Sequence, residues 1–440
     1  MRILCTHFFG RKLSILTKFA DRRSPTNVTT ILTTIHNIED LRQEARRVLP
    51  RGLFEFVDRG TEDETALPAI AEALNRIRLR PRVLIDVSGC STRADFFGRP
   101  SAMPCAVAPT GAAGLLWFDG EIAVARAARE AGIPFTLSTA SIVSMERVAA
   151  EAGGRLWFQL YMWPERSMSY ELVDRARAAG YEALMVTVDT AVTPNREYNL
   201  RNGFSLPMQI TRRNVLDVVA HPGWFFSVFA RYLARSGIPR FENYPEQLRR
   251  SLADAPAGRR MPKNDSLTWH DLRELRKRWD GPLILKGVLN PRDALQALSC
   301  GADAVVVSNH GGRNLDASIP PIEALPQVLE AVGGRMDVFV DSGFTRGSHV
   351  AKAIAMGAKG VLLGRVPLWG VASAGEEGAT RALQIMHQEL QRVMCLAGCA
   401  SLATLDRDLL HLAGASQAAL DVRQMQGATT ANLRILQEQS

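Results

Sequence analysis

A TIM (β/α)8 barrel, of the α/β class, is the fold this sequence predicts, and three observations predict it. Short apolar runs rich in β-branched residues recur eight times along the 440 residues. Amphipathic stretches with helical spacing lie between them. The runs are apolar throughout rather than at alternate positions, which marks strands buried on both faces, as a parallel sheet requires. Eight strand–helix units close a barrel. The competing fold, a doubly wound open sheet, needs a G-x-G-x-x-G turn after its first strand, and none is present.

The elements follow in order. Residues 1–36 form a basic N-terminal extension, with Arg2, Arg11, Lys12, Lys18, Arg22 and Arg23 against Asp21 alone through residue 34. It reads as a disordered tail or an over-long start in preference to a transit-peptide-like segment. Residues 37–412 form the barrel domain, with a helical lead-in over 37–80 that begins "NIEDLRQEARRVLP". The strands are "CAVAPT" (105–110), "PFTLST" (134–139), "LWFQLY" (156–161) and "ALMVTVD" (183–189). Then come "PLILKG" (282–287), "AVVVSN" (304–309), "DVFVDSG" (337–343) and "GVLLGR" (360–365). Between them lie stretches such as "EIAVARAAREAG" (121–132) and "ELVDRARAAG" (171–180), each closed by glycine. More than 90 residues separate the fourth strand from the fifth, an insertion of the kind that is usually functional or disordered. A closing helical segment spans 376–412, and 413–440 is a C-terminal tail.

Composition narrows the function. Hydrophobic content of 46% and charged content of 22% fit a globular protein. The six cysteines include no CxxC and no zinc pattern, so all are read as reduced thiols and no metal is expected. A net charge of +8 suits an anionic substrate or lipid; no nucleic-acid motif accompanies it. No apolar run approaches the roughly 18 residues of a membrane span.

Barrel active sites sit at the C-terminal ends of the strands. Those ends carry Pro109, Thr110 and Gly111; Ser138; Gln159 and Tyr161; Thr187 and Asp189. The second half carries Lys286; Ser308 and His310; Asp341, Ser342 and Gly343; Gly364 and Arg365. A lone strand-end serine is usually a turn or cap residue, and a lone aspartate is usually solvated. Eight polar, chemically varied ends need another explanation. The glycines and arginine of "DSGFTRG" and "LLGR" suit a phosphate. Lys286 directs a cation into the pocket or forms a buried structural ion pair. His310 suits proton transfer near neutrality, with Asp189 as its carboxylate partner. Arg196 and Arg313 suit a two-pronged grip on a carboxylate. A base beside such a clamp points to an acid substrate whose α-position loses a proton or hydride.

These residues resemble the FMN-dependent α-hydroxy-acid dehydrogenase and oxidase family, which includes L-lactate dehydrogenase, glycolate oxidase and (S)-mandelate dehydrogenase. "SNHGGRNLD" is similar to the family's SNHGGRQLD, with Asn314 in place of glutamine; "RPRVLIDVS", "FQLY", "TVDT", "LKGV", "DSGF" and "LLGR" follow in family order. "LWFQLYM" and "AHPGW" resemble the mandelate dehydrogenase branch most. The resemblance implies FMN as cofactor and an L-2-hydroxy acid, mandelate- or lactate-like, as substrate. It implies His310 as base with Asp189, Arg196 and Arg313 on the carboxylate, and Tyr161 on the substrate oxygen. Lys286 would sit near the flavin ring. Pro109 to Gly111, Ser138, Gln159, Thr187 and Ser308 would contact its isoalloxazine and ribityl parts. Asp341 to Gly343, Arg346, Gly364 and Arg365 would surround the ribityl chain and phosphate. A homotetramer is also implied.

Three departures stand out. Phe56 replaces a tyrosine that contacts the substrate carboxylate in the family; one hydrogen bond is expected to be missing, roughly 1–2 kcal/mol. Thr345 stands where a phosphate-binding arginine is common. Ala140 replaces a bulky tryptophan of glycolate oxidase, which makes room for an aromatic or branched substrate.

The insertion, residues 205–265, holds ten Lys or Arg and five Asp or Glu. Within it "WFFSVFARYLAR" (224–235) places Phe225, Val228, Phe229, Tyr232 and Leu233 on one helical side and Ser227, Arg231 and Arg235 on another. That pattern suits an anionic membrane interface, which is favoured over packing on the protein's own barrel. In the resembling dehydrogenases this segment contacts the membrane and gives access to quinone. The expectation is a cytoplasmic enzyme, peripheral on the inner face of the cell membrane, that passes electrons to a quinone or other respiratory-chain acceptor. One alternative is a soluble oxidase using O2 and giving H2O2, which Gly111 disfavours because alanine is common there in oxidases. The other is an inactive barrel serving as a binding protein.

Overall fold

The computed structural model describes residues 31–203, 211–249 and 265–412. Eight parallel strands close a barrel in the spatial order β10-β11-β4-β5-β6-β7-β8-β9. They are β4 (Cys105–Thr110), β5 (Phe135–Ser138), β6 (Leu156–Leu160), β7 (Ala183–Thr187), β8 (Leu283–Val288), β9 (Ala304–Val307), β10 (Asp337–Val340) and β11 (Gly360–Leu363). All eight runs read from the sequence are barrel strands. Most of their residues are fully buried, because helices cover the outer face and packed side chains fill the interior.

The lead-in is three helices: α1 (Ile38–Val48), α2 (Arg51–Asp58) and α3 (Ala66–Arg76). Asn37 starts α1 because its side chain accepts from Asp40 N–H at 3.0 Å while Asp40 answers at Asn37 N–H. Such a cap is worth about 1 kcal/mol. α1 buries Ile38, Leu41 and Ala45, spaced for one helical face. Arg42 holds α1 to α2 through Asp58, at 2.6 and 2.8 Å.

Two small sheets lie outside the eight predicted strands. β1 (Ile77–Leu79) pairs with β12 (Leu410–Leu412), joining the lead-in to the end of the described chain. The hairpin of β2 (Ala94–Phe96) and β3 (Arg99–Ser101) inserts Phe96 into the barrel floor. There its ring lies 5.2 Å from Phe339 and 6.1 Å from Trp157, both edge-on. Each such aromatic pair adds about 0.5–1.5 kcal/mol beyond burial. Three-residue strands give too little periodicity to be seen in sequence. A helix starts at Arg365, breaks at the non-helical Ala374 and Gly375, and the closing helix continues to Leu396.

The insertion corrects the membrane-facing expectation for helix 224–235. Of the predicted apolar stripe, Val228 and Tyr232 are buried and Phe225 and Phe229 are half-buried against the protein's own barrel, with Trp224 buried beside them, while Leu233 stays exposed. Trp224 donates to the Leu115 carbonyl at 2.7 Å, and the Tyr232 hydroxyl accepts from Asp119 N–H at 2.9 Å. Arg231 sits 4.1 Å above the Phe118 ring. The residues that do face outward are Phe226 and Leu233, together with Val215, Leu216 and Val219 on the helix Arg212–Ala220. A π-helical turn over Phe225–Phe229 lies within the helical stretch 224–235, and its i→i+5 hydrogen bonding turns side chains away from ideal 3.6-residue positions. Residues 204–210 and 250–264 around and within the insertion, the extension 1–30 and the tail 413–440 lie outside the described residues.

Candidate active site

A cavity of about 1420 Å³ opens at the C-terminal ends of the barrel strands. That exceeds the roughly 300–1,000 Å³ of an ordinary small-molecule pocket, so it has room for a cofactor with a substrate.

The turn after β9 is the most constrained part of its wall. His310, Gly311 and Gly312 take φ of +59°, +68° and +71° in succession. Only glycine enters that region freely, so the Gly-Gly pair absorbs most of the turn. Strand-end side chains hold it in place. Ser308 Oγ accepts from His310 N–H at 3.0 Å and is itself 3.0 Å from Lys286 Nζ. Lys286 pairs with Asp341 at 2.9 Å, Asp341 accepts from the Ser342 hydroxyl at 2.8 Å, and that hydroxyl accepts from Gly311 N–H at 3.0 Å. The buried ion pair and the cation at the cavity wall, alternatives in sequence, are one feature. Burial opposes the charge on Lys286, but Asp341 and Asp189 overcome it and raise its pKa.

His310 Nδ1 lies 3.0 and 3.2 Å from the two Asp189 oxygens. Burial alone pushes Asp189 up; the facing His310, with Lys286 nearby, reverses this and holds it below the usual carboxylate range. An ionised carboxylate only accepts, so Nδ1 carries the proton and Nε2 is left as an acceptor. Burial lowers the His310 pKa, with Asp189 opposing, which favours the neutral ring. His310 lines the cavity, whereas Asp189 stands behind it. Asn314 donates to the Asp189 carbonyl at 2.8 Å and ties the two strand ends together.

Arg196 and Arg313 also line the cavity. Arg196 Nε donates to the Arg313 carbonyl at 3.3 Å, and Arg313 donates to the Arg59 carbonyl at 2.9 Å. Among the described residues neither forms an ion pair with a carboxylate. Burial and then the Arg313 charge pull the Arg196 pKa down to about 10. Phe56 lies with its ring 5.4 Å from the Arg313 guanidinium, a cation–π contact in place of a hydroxyl. Tyr161 lines the wall, its phenol pushed up by burial and by Asp189.

Of the remaining predicted positions, Pro109, Thr110, Gly111, Ser138, Lys286, Asp341, Ser342, Gly343, Gly364 and Arg365 line the cavity. Gln159, Thr187 and Ser308 lie beneath it, fully buried. Arg346 is a correction. Its half-exposed side chain pairs with Glu389 at 3.3 Å and does not reach the cavity, where Thr345 stands instead. The reason is local: Arg346 precedes the helix Gly347–Met356 in an extended conformation, and Glu389 from the closing helix also accepts from Gly347 N–H. Arg365 faces the wall but gives its guanidinium to the Val57 and Gly311 carbonyls at 3.0 and 2.9 Å.

Phe241 and Tyr244, inside the insertion, line the cavity and were not foreseen. Their rings stack 4.7 Å apart, and Asn243 between them binds Met145 N–H and the Val143 carbonyl at 2.8 and 2.9 Å. No local pattern marks them; only the fold brings Tyr244 to strand ends as far off in sequence as Thr110 and Gly364.

The donor set fits an electron-rich, anionic cofactor. Gln159 Nε2 is a buried donor without a partner, Lys286 is a buried cation, and two helices begin at Gly347 and Arg365 beside the Gly343 turn.

Residues 45–412 match the model of the FMN-dependent dehydrogenase family, and the chain belongs to that family. It is 38% identical to (S)-mandelate dehydrogenase of Pseudomonas putida over 385 residues, 88% of this chain and 96% of that one. It is 40% identical to 4-hydroxymandelate oxidase of Amycolatopsis orientalis over 85% of this chain and 98% of the relative. An L-lactate dehydrogenase of Caulobacter sp. (strain K31) is 40% identical over 86% and 98%. The structure of the monotopic membrane protein (S)-mandelate dehydrogenase superposes with a TM-score of 0.80 at 38% identity, over 86% of this chain and all of that one. The protein is an FMN-dependent oxidoreductase of 2-hydroxy acids.

Proposed function

We propose that the protein oxidises an aromatic, mandelate-like L-2-hydroxy acid to the 2-oxo acid and delivers the electrons to a membrane quinone. The observation that carries this is a pre-formed base, His310 on Asp189, lining the same cavity as two arginines that pair with no carboxylate among the described residues. FMN, when bound, supplies the two-electron acceptor. Arg196 and Arg313 grip the substrate carboxylate and fix the α-carbon. The Tyr161 hydroxyl holds the substrate oxygen. His310 Nε2 takes the proton released there, and Asp189 stabilises the resulting imidazolium. Lys286, kept protonated, offsets negative charge developing at the cofactor.

The substrate's side chain has an apolar wall. Ala140, Leu115, Phe241 and Tyr244 line it, and alanine at 140 leaves volume for a ring. Lactate would leave that wall unfilled; at ~25 cal/mol per Å² the apolar surface of a phenyl ring favours the larger acid. For the acceptor, support comes from the outward Val215, Leu216, Val219, Phe226 and Leu233 beside Arg212, Arg213 and Arg235. An apolar patch rimmed with arginines suits the interface of an anionic membrane. Among the described residues no helix is long and apolar enough to cross a membrane. The association we propose is peripheral, and the arginines suit the anionic cytoplasmic leaflet.

Anaerobic titration of the purified protein with hydroxy acids, followed by flavin absorbance, tests the reaction. Mandelate should bleach the flavin at lower concentration than lactate, and absence of bleaching by any 2-hydroxy acid would sink the proposal. Quinone should then reoxidise the flavin faster than O2; the reverse order makes the protein an oxidase. Co-flotation with anionic vesicles, lost on Leu216→Asp with Phe226→Asp, tests the surface.

A further inference from the structure

One buried acid has no part in this chemistry. Glu121, in the first turn of the helix Gly120–Glu130, is 1% exposed. Its Oε1 accepts from Ile142 N–H at 3.2 Å, and its Oε2 has no hydrogen-bond partner. Oε2 packs on Gly114, where a Cβ would come within 2.7 Å of it. Burial pushes the carboxyl up, against the pull of its own N–H and that of Ile142. An acid this buried is costly, and a hydrophobic residue would fill the space at less expense.

What Glu121 touches are two turns that share one cavity wall. Gly111, Ala112 and Leu115 come from the turn after β4; Ser138 and Ala140 come from the turn after β5; all five line the cavity. The first turn is strained, since Ala112 has a φ of +56°. It meets the second through Ala112 N–H and the Ala140 carbonyl at 3.0 Å. The β4–β5 register shifts between Val107 and Thr110, so the ladder is irregular just below the turns before it resumes at Thr110 and Leu137. The two turns pack closely, since a Cβ on Gly111 would stand 3.3 Å from the Ala140 carbonyl. Glu121 is a side chain that reaches both turns beyond this irregular stretch. Its hydrogen bond goes to the second turn at Ile142, and its free oxygen lies against the first at Gly114.

We propose that Glu121 is a positioning residue for the FMN cavity: its carboxyl bridges the turns after β4 and β5 and sets the wall they share. This rests on the cavity being the flavin site. The test is a fluorescence titration of FMN onto each purified variant, with the flavin absorbance spectrum recorded on the loaded protein. Glu121→Leu keeps the volume but cannot accept from Ile142. It should weaken FMN at least tenfold and shift the flavin bands, whereas Glu121→Gln, which keeps an acceptor oxygen, should stay within twofold of wild type. If Glu121→Leu does not fold, Glu121→Asp decides: one methylene shorter, it should weaken FMN while Glu121→Gln does not. Unchanged affinity and spectrum in Glu121→Leu, or in Glu121→Asp, would overturn the proposal, even with a lower Tm. Lys286→Met in the same titration separates the two readings. No effect there overturns the flavin-site reading, and Glu121 falls with it. An effect there without one at Glu121 overturns the Glu121 proposal alone.

Discussion

The base side and the clamp side of the cavity are built on opposite principles. Behind His310 the charged groups are paired before substrate arrives: Asp189 to the imidazole, Lys286 to Asp341 and Ser308, with Ser342 on Gly311 N–H. On the clamp side Arg196 and Arg313 find main-chain oxygens and the Phe56 ring, and burial with mutual repulsion depresses Arg196. On the reaction proposed, the base is preorganised and loses little on reaction. The clamp is electrostatically incomplete, so an anion placed there would relieve the burial and mutual repulsion that depress Arg196. Catalysis and affinity would then fall to different walls.

The largest break in this contrast is expected on the base side. His310→Gln should retain FMN and lose about 10²–10⁴-fold in the rate of flavin reduction, followed by rapid-mixing absorbance. Normal reduction in that variant removes His310 as base. The same wall sets the pH dependence. A base must be neutral, and burial lowers the His310 pKa. kcat/KM should therefore stay flat through neutrality and fall only as the pH drops below the ordinary histidine value near 6.5. A fall beginning at or above that value contradicts the neutral dyad.

On the clamp side a smaller, differently shaped loss is expected. Arg313→Lys keeps the charge but removes the planar fork. About 1.5–3 kcal/mol of binding should go, read as a rise of roughly 10–100-fold in KM with kcat much less affected. A pure kcat effect would mean that Arg313 serves the chemistry rather than the grip. The smallest effect is expected at Phe56. Phe56→Tyr restores a donor beside the substrate carboxylate and should lower KM severalfold, about 1 kcal/mol. Unchanged KM would show that the cation–π contact already does the hydroxyl's work.

Much of the base side was legible in sequence because it depends on chain-local features. Valine runs make strands, Gly-Gly makes the turn, and the spacing "NHGGR" sends His310 and Arg313 to one place. The strand-end rule then brought Asp189, Lys286 and Asp341 to the same rim without any contact being known. Arg346 failed for a reason of the same scale. One residue of backbone alternation separates Thr345 at the cavity from Arg346 at Glu389, and no spacing rule foresees which neighbour turns inward.

What the sequence by itself determined is the order of strands and the identity of the residues at their ends, because burial period and turn chemistry act over a few positions. What only the tertiary structure decided is everything that depends on packing between distant segments. Phe241 and Tyr244 close the cavity because Asn243 is clipped to the turn before Met145. Most of the stripe of helix 224–235 packs inward because Leu115 and Asp119 offer Trp224 and Tyr232 partners, which a hydrophobic pattern cannot reveal. An apolar face states only that it will leave water; whether it goes to a membrane or to its own barrel is settled by the shape and the unpaired backbone groups of the surface that meets it.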